Sequence, residues 1–332
     1  MAAGREVVPD ALAAALRRHL PDVSGVAALR RLSGGASQET WSFDATLEGA
    51  ALPLILRRRP GGAQDAAPAS VALSLETEAE LLRLAAAADV PVPRVRCVLE
   101  PADALGSGYV MERLEGETLA RRILRDDVFA AVRPHLARQC GEILARIHAI
   151  PADRLPKLPL ADAAGQLGHY RAVFDRFGHP HPVFELAFRW IGDHLPESAP
   201  ATLVHGDFRN GNLLIDTRGV RGVLDWEIAH LGDPMEDLGW ICVNSWRFGA
   251  EPPVGGFGRR EDLFAGYEAA GGRAVDPERV RFWEILGTLK WGIMCMMMFG
   301  IFESGIDRSV ERAAIGRRAS ETEIDLLELL VG

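Results

Sequence analysis

The chain has 332 residues, a formal net charge of −9, 48% hydrophobic residues and 25% charged residues. That length accommodates one large or two small domains around a buried core, and the composition excludes wholesale disorder. The acidic balance argues against broad binding of nucleic acid or anionic membrane, while leaving room for a local basic pocket. In chain order, Asp10 is expected to cap a helix over residues 11–20 that stops before Pro21. Three β-like runs follow at 26–32, 40–47 and 52–57, and a Gly/Ala/Pro-rich stretch at 60–70 reads as an exposed loop. An Ala/Leu/Glu-rich helix is predicted over 73–88, then strands over 94–99 and 108–114. From about residue 117 the pattern turns helical, interrupted by short β runs at 202–204, 213–215 and 222–224.

The most apolar stretch, residues 282–302, approaches membrane-spanning length but contains Glu284 and Lys290. A charge near the centre of a span is costly, so a buried C-terminal helix is the expectation, with no membrane partner. The cysteines, Cys97, Cys140, Cys242 and Cys295, form no CxxC pair. They are expected as reduced thiols in a cytoplasmic protein. The N-terminal segment is broken by charge and proline and does not read as a signal peptide.

The chemistry-bearing segment is residues 205–212 (HGDFRNGN), followed by residues 225–227 (DWE). Kinase-type phosphoryl transfer needs a carboxylate beside the acceptor hydroxyl and an oxygen ligand for Mg²⁺ shortly after it. A second carboxylate, reached through a short hairpin, bridges metal and phosphates. Asp207, Asn212 and Asp225 have that spacing, each behind an apolar β run. Taken singly, Asp and Asn are also common turn formers. The β-rich N-terminal part and helical remainder suit a two-lobed, protein-kinase-like α+β fold: a small antiparallel β lobe with one helix, and a larger, mainly helical lobe. Residues 1–112 would form the nucleotide-binding lobe and 113–332 the catalytic and substrate lobe, with a hinge at about 111–116.

HGDFRNGN with VLDWEIAHLGDPMEDLGW resembles the aminoglycoside phosphotransferase family, in particular the branch of kinase-like domains fused to acyl-CoA dehydrogenases. The resemblance runs from about Leu29 to Trp240. It implies that Asp207 is the catalytic base or hydroxyl-orienting group, that Asn212 and Asp225 hold Mg²⁺, and that Asp237 buttresses the loop. Asp237 also reads simply as an acid favoured at a helix N-terminus. Arg209 stands near the position of a protein-kinase lysine and would meet the transferring phosphate; the alternatives are a surface arginine or a partner of Glu227. Glu227 replaces a glycine of the protein-kinase pattern and would support the metal's surroundings. His205 is expected to brace the loop by hydrogen bonding.

For the nucleotide, Gly34, Gly35 and Ser37 lie in a turn that would cover the phosphates with N–H groups and hydroxyls. Arg57 stands in place of the kinase lysine, with Arg58 and Arg59 leaving the register open. Helical geometry puts Glu78 on the inward stripe with Leu75 and Leu82, while Glu76 and Glu80 point away, so an Arg57–Glu78 pair is expected. Residues 108–116 resemble a kinase hinge, with Met111 against the adenine and backbone groups of Glu112 and Leu114 on the purine edge.

The resemblance therefore implies an Mg²⁺-dependent kinase that uses ATP or GTP on a small-molecule hydroxyl. Beyond Trp240 the chain offers Trp246, Phe248, Phe257, Trp283, Trp291, Met294 and three further methionines, but few acids. That composition suits an apolar or acyl-type acceptor better than a polycation, although methionine clusters also serve as core filler. Lys290 would meet an anionic group of the substrate or snorkel to solvent. An antibiotic phosphotransferase and a nucleotide-binding module without turnover are the alternatives. A protein kinase is disfavoured, because no APE-like segment follows Asp225.

Overall fold

The computed structural model describes residues 7–34, 38–59 and 72–331. Among them, α1 (Pro9–His19) leads into β1 (Val23–Gly34), β2 (Glu39–Leu47) and β3 (Ala50–Arg59). Next come α2 (Leu75–Ala87), β4 (Val95–Val98) and β5 (Ser107–Glu112). The strands form one sheet in the order β1-β2-β3-β5-β4, antiparallel throughout. The loop expected at 60–70, together with Gly35 and Ser37, lies outside the described residues.

Proline, not aspartate, opens α1. Pro9 occupies its first turn behind Val8, which offers no side-chain cap, and Asp10 falls inside the first turn. A proline has the helical φ already set and no N–H to leave unpaired, so it starts the helix ahead of the expected cap. α2, by contrast, is capped by Ser74, whose hydroxyl accepts from Thr77 N–H.

The period-2 alternation of the strands gives the sheet two faces. Trp41, Phe43, Ala45, Leu54, Leu56 and Val110 pack with Leu12, Ala15 and Leu16 of α1 in one buried cluster. The opposite face carries Arg57 and Tyr109, directly paired across β3 and β5, towards α2. Tyr109 and the α2 residues Leu75, Ala79 and Leu82 belong to the larger cluster that continues into the helical lobe. α2 is thus the helix of the small lobe that the sequence pointed to, and α1 covers the sheet's other side.

The second lobe begins with α3 (Ala120–Arg125), α4 (Leu136–His148), α5 (Ala163–Phe174) and α6 (Pro182–Asp193). Two small ribbons follow: β6 (Thr202–Val204) pairs with β9 (His230–Gly232), and β7 (Leu213–Asp216) with β8 (Gly219–Val223). β9 has only three residues, and sequence reasoning passed over it. α7 (Met235–Trp240), α8 (Arg260–Ala269), α9 (Pro277–Glu303), α10 (Val310–Gly316) and α11 (Ala319–Val331) complete the lobe.

α4 and α8 cross through glycines. A Cβ on Gly141 would fall on the Leu263 carbonyl oxygen, and one on Gly266 on the Arg138 carbonyl oxygen. α9 is the predicted apolar helix, started by Pro277 behind Asp276, whose carboxylate accepts from Glu278 and Arg279 N–H groups. Its length and composition would suffice to cross a membrane, yet 56% of its most apolar window is buried in this fold. Glu284 within it is paired to Arg247 and Arg260. The four cysteines are buried free thiols.

Candidate active site

The loop between β6 and β7 is held from below by Asp237, in the first turn of α7. Its carboxylate accepts from His205 N–H (2.8 Å), Gly206 N–H (2.9 Å) and His148 Nε2 (3.1 Å), and it is fully buried. Burial alone would raise its pKa; the hydrogen bond and charge of His148 and the loop N–H groups outweigh that and hold it below the usual carboxylate range. Gly206 sits at φ +80°, where a Cβ would meet the Ile228 carbonyl oxygen at 2.8 Å. Only glycine turns the chain here.

His205 supplies the expected brace. Its Nδ1 accepts from Asp207 N–H (3.2 Å), which leaves Nε2–H to donate to the Leu224 carbonyl (3.1 Å). Burial pushes its pKa down, in keeping with a neutral ring. One imidazole therefore ties the loop carrying Asp207 to the residue before Asp225.

The Asp207 carboxylate is fixed from three sides. Oδ1 accepts from Arg209 Nε (2.9 Å) and Trp240 Nε1 (2.9 Å), and Oδ2 accepts from Asn212 Nδ2 (2.6 Å). Arg209 therefore pairs with Asp207, not with Glu227, and its guanidinium lies 4.4 Å from the centre of the Trp246 ring. Asn212 Nδ2 also donates to the Asp207 carbonyl (3.0 Å), so its amide orientation is fixed and its oxygen is left as an acceptor.

Asp225 follows β8 in a left-handed conformation, φ +66°, a strained region that aspartate tolerates better than most residues. Its side chain is 37% exposed and lies 3.3 Å from Arg57 Nη1. Arg57 also reaches Gln38 Oε1 (3.2 Å) and Glu78 Oε2 (3.5 Å). Arg57 is therefore the arginine that meets Glu78 and Asp225, whereas Arg58 points to the opposite face, where it meets Glu39. Glu78 is fully buried and accepts from Tyr109 Oη (3.1 Å), and its Oε1 finds no hydrogen-bond partner among the described residues. Burial raises its pKa to about 7 against the opposing charge of Arg57. Glu227 is raised as well, by burial and then by the Asp225 charge. Its backbone carbonyl accepts from Leu73 N–H (2.6 Å), joining this loop to the entry of α2.

Asp207, Arg209, Asn212, Asp225, Arg57 and Glu78 are thus linked residue to residue or through His205. Gly34 ends β1 opposite Glu39. Met111 shares the Arg57 face of the sheet, paired with Ile55. Glu112 spends its N–H on the Arg94 carbonyl (2.9 Å), so of its backbone groups the carbonyl is the one open to a ligand. Leu114 lies at the start of the second lobe, close to Gly222. Asn212 Oδ1 and the Asp225 carboxylate are hard oxygens suited to Mg²⁺. No cluster of three His, Cys, Asp or Glu able to hold a metal occurs among the described residues.

Sequence reasoning missed Trp240 as a site residue. It ended the recognised motif without any sign that its indole N–H turns back onto Asp207. Its ring starts an aromatic wall: Trp246 at 5.2 Å, then Trp291 4.8 Å further. The Trp246 and Trp291 N–H groups find no partner among the described residues. Lys290, expected at a substrate anion or in solvent, is buried with its ammonium 4.7 Å from the centre of the Trp240 ring.

Mouse acyl-CoA dehydrogenase family member 10 is 30% identical over 229 residues, covering 63% of this chain and 20% of that protein. Mouse acyl-CoA dehydrogenase family member 11 is 26% identical over 261 residues, covering 72% and 32%. The chain thus spans a third or less of the length of these relatives. Among solved structures, macrolide 2'-phosphotransferase MphH of Brachybacterium faecium superimposes with a TM-score of 0.62 at 21% identity, covering 93% of this chain and 97% of that one. A thermostable mutant of the aminoglycoside phosphotransferase APH(4)-Ia, solved as a ternary complex with AMP-PNP and hygromycin B, gives 0.63 at 18% identity, covering 97% and 99%. These likenesses establish the two-lobed kinase-like fold. The sequence profile of the Phosphotransferase enzyme family (APH) matches residues 28–283, and the chain belongs to that family.

Proposed function

We propose that this protein transfers the γ-phosphoryl group of ATP or GTP to a hydroxyl of a small, largely apolar or acyl-type molecule. The observation that carries this is the Asp207 carboxylate, held rigid by Arg209, Asn212 and Trp240 beside a wall of tryptophans. Oδ1 is occupied by two donors, whereas Oδ2 has one, so Oδ2 is the atom that receives the hydrogen bond of the acceptor hydroxyl and then its proton. Holding that hydroxyl in line with the phosphorus supplies most of what the protein contributes to such a transfer. Arg209 keeps its remaining N–H donors for the charge on the transferring group.

On the nucleotide side, residues 1–112 form the binding lobe and 113–332 the catalytic lobe, meeting at a hinge near 111–116. Gly34, Gly35 and Ser37 cover the phosphates, Arg57 grips them with Glu78 holding its fork, and Met111 and the Glu112 and Leu114 backbone receive the base. Mg²⁺, held by Asn212 and Asp225, would offset phosphate charge. Buried free thiols support a reducing, cytoplasmic setting.

The acceptor side favours an acyl compound over an aminoglycoside because it presents cations. Arg209 and Lys290 both lie on the tryptophan wall, where a polycation would be repelled. The relatives named as acyl-CoA dehydrogenases support acyl chemistry in the same direction. An acceptor screen coupled to nucleotide consumption tests the reading. Turnover with hydroxyacyl compounds is expected; efficient phosphorylation of kanamycin-type compounds with none of hydroxyacyl compounds would overturn the acceptor class, and nucleotide binding without transfer to any acceptor would overturn the activity.

A further inference from the structure

α9 carries two charges through the interior, and the fold treats them differently. Glu284 is fully answered by Arg247 Nη2 at 3.0 Å and Arg260 Nη2 at 2.7 Å. Lys290 is only 6% exposed, yet its ammonium makes no hydrogen bond among the described residues. The nearest carboxylate oxygen, Glu236 Oε1, is 3.9 Å away. That carboxylate is already occupied at Oε2 by Gln166 Nε2 (2.7 Å) and His230 Nε2 (3.1 Å). An ammonium has three donors, and among the described residues this one meets only the long ion pair with Glu236 and the Trp240 ring, which leaves its donors available to a ligand.

Its location gives those available donors a purpose. The ammonium rests on the face of Trp240, while the N–H edge of the same indole holds Asp207. Burial works to lower the pKa of Lys290, but Tyr170, Glu236, Asp207 and Asp237 more than offset it, so the group stays cationic. Trp246 and Trp291 extend the apolar wall from Trp240.

We propose that Lys290 is the acceptor-recognition residue: its ammonium binds an acyl oxygen, carboxylate or carbonyl, of the molecule whose hydroxyl lies against Asp207. This rests on the reading of Asp207 as the group facing the acceptor hydroxyl. It adds a residue that separates acyl compounds from simple alcohols, since a site built around an unmet donor rejects the analogue that lacks the oxygen.

The test compares three acceptors of equal chain length: a hydroxy acid, its methyl ester and the alkanol without an acyl oxygen. The wild-type protein is expected to favour the acid or ester over the alkanol in kcat/KM by about tenfold to a hundredfold, the worth of one charge-assisted hydrogen bond. The better of acid and ester identifies the oxygen as carboxylate or carbonyl. Lys290→Met should bring that ratio close to one, and Lys290→Arg should retain part of it. A merely structural lysine would depress all three acceptors alike and leave the ratio at its wild-type value, which overturns the proposal. If Lys290→Met does not fold, Lys290→Gln carries the same comparison. Calorimetric binding of the hydroxy acid separates this idea from the catalytic reading. Equal affinity in wild type and Lys290→Met refutes the lysine's role whatever the turnover, whereas lost affinity in the variant supports it even if the wild-type protein phosphorylates none of the three.

Discussion

At the scale of single residues, the proposed chemistry rests on Asp207 and the three donors that hold it. Asp207→Asn removes the proton acceptor while keeping the shape, so kcat should fall by about 10²–10⁴ with nucleotide affinity nearly unchanged. Wild-type-like turnover would show that another group receives the proton. Trp240→Phe keeps a ring beneath Lys290 but deletes the N–H that holds Oδ1. A hydrogen bond to a charged group is worth about 1.5–3 kcal/mol, so kcat should drop by about tenfold to a hundredfold. Steady-state kinetics checks both variants. Asp225→Ala should abolish the stabilisation by Mg-ATP, which in the wild-type protein reaches about 2.7 kcal/mol at a hundredfold excess over Kd. A full Mg-ATP thermal shift in that variant would place the metal elsewhere. Asp207, Asn212 and Asp225 were legible because their spacing is a local property of the chain. Trp240 was not, because its contact with Asp207 depends on how α7 folds back under the loop, which no spacing encodes.

At the scale of elements, the β-rich segments announced themselves through alternation. The same alternation decided that Arg57, not Arg58, faces the cleft, once Leu54 and Leu56 were seen to pack against α1. What the sequence hid was short or shared. β9 has three residues, and the glycine-to-glycine crossing of α4 and α8 appears only when both helices are in place. Gly141→Ala would add a methyl where the Leu263 carbonyl already sits, a change that helix propensity alone would favour. Overpacking should prevail, with a loss of about 1–3 kcal/mol measurable by urea unfolding. A more stable variant would mean that the two helices separate easily, and the close crossing would then contribute little.

At the scale of the whole molecule, the lobes are coupled electrically as well as by packing. Glu78, in the small lobe, is raised to about 7 from the ordinary glutamate value of 4.5 by burial, with Asp225 across the cleft adding to the rise and Arg57 opposing it. A carboxyl whose folded pKa is raised contributes stability that is fully present below its unfolded pKa and is lost as pH rises through the folded value. The wild-type protein should therefore lose stability relative to Glu78→Gln between pH 4.5 and about 7, and the difference should level off above that. Unfolding both proteins in urea across that range checks the sign; a flat difference, or a wild-type protein that gains on Glu78→Gln as pH rises, would show that Glu78 is ionised throughout. The inward position of Glu78 was legible from helical angles, but its unmet Oε1 and its proton were not, since both depend on the sheet, α2 and the Asp225 loop closing together.

The tryptophan wall also makes the protein its own optical reporter. Three of its seven tryptophans stand in file with ring centres 5.2 and 4.8 Å apart, and a cation lies over each of the three: Lys290 over Trp240, Arg209 over Trp246 and Arg318 over Trp291. Indoles that close couple their transitions, giving a paired band of opposite sign in near-ultraviolet circular dichroism, and a guanidinium or ammonium over the ring alters emission. An acceptor that draws Lys290 off Trp240, or shifts Arg209 across Trp246, will therefore register in the native fluorescence of the unlabelled protein.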